Sequence, residues 1–200
     1  MEATAAPRKG ELTRAAIVER AARLASRVGI EGLSIGMLAD DLDLSKSGLF
    51  AHFKSKEALQ LQVLEYAVAR FVEKVVRPAL AAPRGEKRVR ALFEHWLEWP
   101  KTSGMTGCLF VALATELDDQ PGPVRERLVQ SQKDWLEAIA TSVRMAIAEG
   151  HFRKDLDPEQ FAHELYGIML AAHHALRLLR SRSALERTRR AFARLIEDAR

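Results

Sequence analysis

Apolar residues recur at three- and four-residue spacing along almost the whole chain, and no segment alternates with the period of two that marks a half-buried strand. From Leu12 to Val28 the positions Ile17, Ala21, Leu24 and Val28 mark one helical face, with Gly29 as its stop. Ile35, Leu38, Ala39 and Leu42 mark a second, shorter helix behind an N-capping Ser34. Asp43-Leu44-Ser45 interrupts it: Asp tolerates the left-handed conformation of a tight corner, and Ser45 can cap a third helix from Lys46 to about Phe53. Two short capped helices with such a break form the pattern by which a helix-turn-helix lays its second helix in a DNA major groove.

Beyond the break the period continues. Ser55 caps a helix carrying Leu59, Val63, Ala67, Phe71 and Val75 down to Pro78. At ~1.5 Å per residue it spans roughly 33 Å, enough to belong to both an N-terminal head and a C-terminal body. After a break over 79–85, further helices are expected from Arg88 to about Trp99, ended near Pro100, and from Gly107 to Leu117. Others run from about Val124 to Glu149, from Pro158 to about Arg180, and from about Ala184 to Ala199. The fold expected is all-α, about nine helices: a three-helix head on a helical bundle, divided as 1–56 and 57–200. Met1 to about Gly10 reads as a polar arm, either a groove-contacting one through Arg8 and Lys9 or one without a role.

Composition is that of an ordinary soluble globular chain, 48% hydrophobic and 29% charged. No apolar run approaches the ~20 residues of a membrane span, no secretion signal is visible, and the expected location is the cytoplasm. The lone Cys108 cannot form an internal disulfide. The net charge of +4 is not concentrated on the helix-turn-helix. Between Ser34 and Lys56 three Lys are offset by Asp40, Asp41 and Asp43, so DNA affinity there requires placed contacts rather than bulk charge. Arg177 to Arg200 is more basic, eight Arg against three acids, but lacks interleaved aromatics and reads as a solvated helix face.

From Thr13 to Leu59 the succession TRAAIVERAARL, LSKSGLFAHF and FKSKEAL closely resembles the DNA-binding domain of the tetracycline-repressor (TetR) family of bacterial transcription regulators. It departs from the family pattern at Asp43, often Gly, and at Phe50, often Tyr, whose missing hydroxyl removes a phosphate contact. Ser45, Lys46, Ser47 and Gly48 lie where a helix N-terminus and its free amides can receive phosphate. The resemblance implies that Phe50 and His52 complete the DNA surface and that Lys56 and the hydroxyl of Ser34 or Thr13 meet the backbone; the charge distribution adds Arg14 from the arm. Lys46, Ser47 and His52 are the candidates for reading sequence. The plain alternative makes Ser45 only a cap, Gly48 a packing contact and Phe50 core; for Leu49 and Phe53 the core reading is taken.

In the body, the resemblance implies a cavity for a small-molecule effector, with Trp96, Met105, Cys108, Phe110, Trp135, Tyr166, Met169 and His173 as candidate walls. Each is equally readable as plain core. The stripe Phe161, Leu165, Ile168, Ala172, Ala175 and Leu179 is the expected homodimer interface, which would present two heads to a palindromic double-stranded DNA site. The six histidines include no i, i+4 pair, so no metal or other cofactor is expected. No nucleophile elbow or phosphate-cradling Gly loop is present either. The expected function is a ligand-responsive, DNA-binding repressor. The alternatives are a constitutive DNA-binding regulator with a filled body and, least favoured, an all-helical enzyme.

Overall fold

A computed structural model describes residues 14–200, so Thr13 and the arm with Arg8 and Lys9 lie outside the described residues. Every regular element among them is helical. The head consists of α1 (Arg14–Val28), α2 (Ile35–Leu42) and α3 (Lys46–Phe53). α1 buries Ile17, Val18, Ala21, Ala22 and Ala25, a face made narrow by alanine so that neighbouring helices approach closely. Val28, expected on that face, is 44% exposed, because the buried face is centred on the 18/22/25 side of the helix.

Local chemistry accounts for the corners. The Ser34 hydroxyl oxygen accepts from the Met37 N–H (3.0 Å), Ser45 from Gly48 (3.1 Å) and Ser55 from Ala58 (3.0 Å), so three helix starts are capped in one way. Asp43 takes the left-handed conformation at φ 54°, ψ 43° that turns α2 into α3.

The fourth helix, α4, runs as an α-helix over Lys56–Phe71, widens into a π turn over Val72–Val76 and resumes over Arg77–Ala81. Pro78 therefore does not end it, as the sequence led us to expect. A proline ring collides with the carbonyl four residues earlier, here that of Lys74, and the widened turn around Lys74 relieves that contact. Leu59, Val63, Ala67, Phe71 and Val75 are all buried along this rod, which packs on α1 near one end and on the body further along.

The body adds α5 (Glu86–Thr102, passing through Pro100), α6 (Leu109–Leu117), α7 (Pro123–Ala148), α8 (Pro158–Arg177) and α9 (Ala184–Ala199). Taking α4 as one rod, the described residues form nine helices. Head and body share one hydrophobic core, and polar ties cross between them. The Glu116 carboxylate of α6 accepts the Glu31 N–H (3.0 Å), and the Thr106 N–H donates to Ser26 Oγ (2.9 Å). Gly29, at φ +83°, is needed beside that carboxylate: a Cβ there would stand 2.7 Å from Glu116 Oε1.

α8 corrects the expected dimer stripe. Phe161, Leu165 and Ala172 are buried within the chain itself, where α8 packs against α7 and α9. Ile168 and Ala175 are half-buried, and Leu179 lies beyond the end of the helix. The outward face is instead Gly167, Leu170, Ala171 and His174, with Leu178 following the last turn.

The basic C-terminal helix is fastened to the body by its charges. Arg189 bridges to Glu94 (2.6 Å), and Arg200 to Glu86 (2.8 Å). Arg200 and then Arg90 hold the Glu86 carboxyl below the usual carboxylate range. A lowered folded-state pKa stabilises above the ordinary Glu value of about 4.3 and is lost as pH falls through the lowered value. Glu86→Gln should accordingly flatten the fall of Tm between about pH 5 and pH 3, read by thermal melts across that range.

Candidate functional site

Two sites stand at opposite parts of the molecule, joined by α4. The first is the outer side of α3. Leu49 and Phe53, four residues apart, are buried and fix the helix against the head, which turns Lys46, Ser47, Gly48, Phe50, Ala51 and His52 to the exterior. Phe50 is 55% exposed, so it is not a core residue. Gly48 keeps the helix start intact: a Cβ there would stand 3.0 Å from the capping Ser45 hydroxyl, itself 3.3 Å from that of Ser47.

Lys46 reaches back over α2. A point one Cβ above Gly36 lies 3.7 Å from Lys46 Nζ and 3.8 Å from Ser34 Oγ, so an ammonium, a hydroxyl and the first turn of α2 converge there. That set suits a phosphate oxygen. Gly36 was not among the residues singled out from the sequence; its lack of a side chain beside an N-cap serine was the available signal. The nearby negative charge is partly removed from play. Arg20 of α1 grips Asp41 in two bonds of 2.5 and 3.0 Å, and that hydrogen bonding, ahead of simple charge attraction, draws the Asp41 carboxyl below its usual range.

Two of the expected DNA contacts are occupied within the chain. Lys56 Nζ donates to the Glu31 carbonyl (2.7 Å) and meets the Glu31 carboxylate (3.2 Å), tying α4 to the turn after α1. Arg14 donates to Gln62 Oε1 (2.9 Å) and lies over the Phe53 ring at 5.7 Å, bracing α3 from behind. Both side chains brace the framework that presents α3.

The second site is a cavity of about 150 Å³ in the body, walled by α4, α5, α6, α7 and α8. Of the eight residues expected there, Trp96, Cys108, Phe110, Trp135 and Tyr166 line it. Met105, Met169 and His173 do not: the two methionines are buried in the surrounding core, and His173 is half-buried on α8 away from the wall. The α4 side of the wall, Val68, Phe71, Val72 and Val76, was not foreseen, nor were Val111, Ser131, Gln132, Asp134 and Ala138. For the α7 residues a signal existed, since Ser131, Gln132 and Ala138 stand four and three residues before and three after Trp135, on its face of the helix.

Phe71 is the hub of this wall, with ring centroids 5.3 Å from Trp99, 5.4 Å from Phe110 and 5.0 Å from Trp135, all edge to face. It is also the last residue before the π turn, so the widened segment of α4 forms part of the cavity. Tyr166 donates its hydroxyl to Gln132 Oε1 (2.9 Å). Burial, with a smaller push from Cys108, raises the tyrosine to about 12, and burial likewise pushes the Cys108 thiol up. Both are therefore neutral near pH 7. The lining contains no Lys, Arg or His, and its one carboxylate, Asp134, is exposed. Among the described residues no group of His, Cys, Asp and Glu is arranged to hold a metal ion.

Comparison with known proteins matches both halves. The family model described as "Bacterial regulatory proteins, tetR family" fits residues 17–63, and "Tetracyclin repressor-like, C-terminal domain" fits residues 85–192. The HTH-type transcriptional repressor DhaR of Mycobacterium sp. (strain GP1) is 24% identical over 173 residues, covering 85% of each chain. A TetR transcriptional regulator from Chloroflexus aurantiacus superposes with a TM-score of 0.83 at 27% identity, covering 96% of each chain. AibR, solved in complex with isovaleryl coenzyme A and operator DNA, gives a TM-score of 0.67 at 26% identity, over 80% of this chain and 84% of its own.

Proposed function

The chain belongs to the TetR family of bacterial transcription regulators, and from that premise we propose that it is a homodimeric repressor whose grip on operator DNA is set by a small effector bound in the body. One observation carries the reading most directly: α3 is a rigidly anchored rod with an exposed polar side, capped at the end that would meet phosphate. In this reading Lys46 and Ser34 hold the backbone while Ser47 and His52 read bases, with Phe50 packed against the groove wall. The head is taken as 1–56 and the effector-binding and dimerising body as 57–200, with α4 shared between them. A two-fold dimer sets its α3 helices about one helical turn of DNA apart, ~34 Å, which calls for a palindromic site. A regulator of this kind has no catalytic role and works in the cytoplasm beside its DNA partner; no described helix is long and apolar enough to cross a membrane.

α4 supplies the coupling. Its first turns hold the head through Lys56 and Gln60, whose amide donates to the Ile30 carbonyl (3.0 Å), and its later turns wall the cavity. An effector that binds better when α4 is tilted away from the operator-competent pose weakens DNA binding by its differential affinity, typically ~1–3 kcal/mol. The cavity favours this over a constitutive regulator with a filled body.

Selection from random duplexes tests the DNA reading. A palindrome is expected, with Lys46→Ala weakening all sequences and lowering the salt dependence, and Ser47→Ala or His52→Ala changing preference within each half-site. Recovery of no enriched sequence at low salt would overturn it.

A further inference from the structure

We propose that the body cavity selects an uncharged ligand about the size of one substituted aromatic ring, bearing an oxygen that accepts hydrogen bonds. The proposal rests on the ligand-responsive reading above and names the chemical class that reading leaves open.

Size sets the first limit. A cavity of about 150 Å³ with apolar walls is the volume that accommodates benzene in a protein interior. Ring faces and edges from Phe71, Trp96, Phe110, Trp135 and Tyr166 surround it, which favours a flat aromatic occupant packed edge to face over a long flexible chain.

Charge sets the second. A carboxylate or phosphate placed among these residues would find no cation in the lining, and an unpaired buried charge is strongly disfavoured. The neutral state of Tyr166 and Cys108 leaves Asp134 as the only formal charge. Asp134 does not make the cavity a cation site, because it is exposed on the rim and already accepts the Gln130 amide (2.8 Å). Solvent screens what remains of its attraction.

The polar groups decide the third feature. Tyr166 spends its proton on Gln132 Oε1, which fixes the Gln132 amide so that its nitrogen, a double donor, is left over. Among the described residues Gln132 Nε2 has no hydrogen-bond partner. Trp135 lines the cavity with its ring, but its indole N–H is wholly buried and, among the described residues, without a partner, out of reach of an occupant. Ser131 already donates to the Leu128 carbonyl (2.7 Å). The amide nitrogen of Gln132, half-buried on the wall, is thus a double donor open to an acceptor on an occupant. A ligand carbonyl or ether oxygen answers it.

Four monosubstituted benzenes of similar size test this on the full-length protein: acetophenone, ethylbenzene, benzoate and benzylammonium. Binding is read by quenching of tryptophan emission, since Trp96 and Trp135 line the cavity, and by thermal shift. Release of the operator recovered by selection is followed in the same titrations. Acetophenone should bind at least tenfold more tightly than each of the other three. Gln132→Leu combined with Tyr166→Phe, which removes the amide donor without freeing the tyrosine hydroxyl, should bring it to the level of ethylbenzene while leaving ethylbenzene nearly unchanged, and Gln132→Glu, which keeps an acceptor for Tyr166 but has no N–H, serves as the second variant should the first melt early. Benzoate or the ammonium binding as tightly as acetophenone, no preference over ethylbenzene, or no binding of any probe would overturn the assignment. Acetophenone binding in the expected order without operator release would uphold the ligand class and overturn the effector reading instead.

Discussion

Phe53→Ala is expected to abolish operator binding while the body stays folded. Phe53 is 1% exposed and, with Leu49, fixes α3 to the rest of the head; the Arg14 guanidinium lies on its ring. Truncating a buried phenyl ring costs about 3–5 kcal/mol. Three short helices bury little core of their own, so such a loss is comparable with everything the head can contribute to its own ordering. Against a head holding itself together by about 3 kcal/mol, a loss at the upper figure leaves a deficit of about 2 kcal/mol, roughly one head in thirty competent, and an operator that needs both heads of the dimer feels that loss twice. The measurement separates head from body without further engineering, because Trp96, Trp99 and Trp135 all lie in α5 and α7. Tryptophan emission and its thermal transition should stay close to those of the parent chain while operator affinity falls by more than about a hundredfold. Retained affinity would show that α3 is not the DNA-reading element. A simultaneous shift of tryptophan emission would show that head and body unfold as a unit.

What the sequence made legible follows from how local each cause is. The caps at Ser34, Ser45 and Ser55 and the left-handed corner at Asp43 depend on side chains acting within three residues of themselves, and the structure has all of them. The continuation of α4 through Pro78 was not legible, because the widened turn that accommodates the ring is a property of the backbone rather than of a residue type. The buried face of α1 was misjudged for a related reason. Val28 fits the apolar period, but the alanines at 22 and 25 allow close helix approach, and packing rather than hydrophobicity chose the face. Lys56 read as a DNA contact through the family resemblance and Arg14 through its charge beside the arm, whereas within the chain Glu31 and Gln62, distant in sequence, engage them. The cavity shows the same division. Its aromatic walls stand out in composition, but which neighbours share them depends on how five helices meet, and only the α7 residues beside Trp135 had a readable period.

Ala171→Arg is expected to convert the dimer to a monomer and, through that, to cost most of the operator affinity. Periodicity shows that a helix has an apolar face but not what covers it, and α8 has two such faces. One, built on Phe161, Leu165 and Ala172, is covered by α7 and α9 of the same chain. The other presents Leu170 at 38% exposure and Leu178 at 70%, with Gly167 and Ala171 small enough for a second helix to lie close. No described residue packs over Gly167, where a Cβ would meet no atom within 4 Å. A homodimer whose two heads must engage one palindrome needs a self-complementary surface, and this is the face on which a second copy of α8 is proposed to pack. An arginine at 171 places a charge and a long side chain in the middle of it, yet leaves the chain's own core untouched because Ala171 is already exposed. Sedimentation should show the mass halved, and operator affinity should drop by about a hundredfold or more as bivalent binding is lost. Lys87→Glu, an exposed charge change on α5, should alter neither the mass nor the melting temperature. An Ala171→Arg protein that remains dimeric with full operator affinity would move the interface off this face of α8.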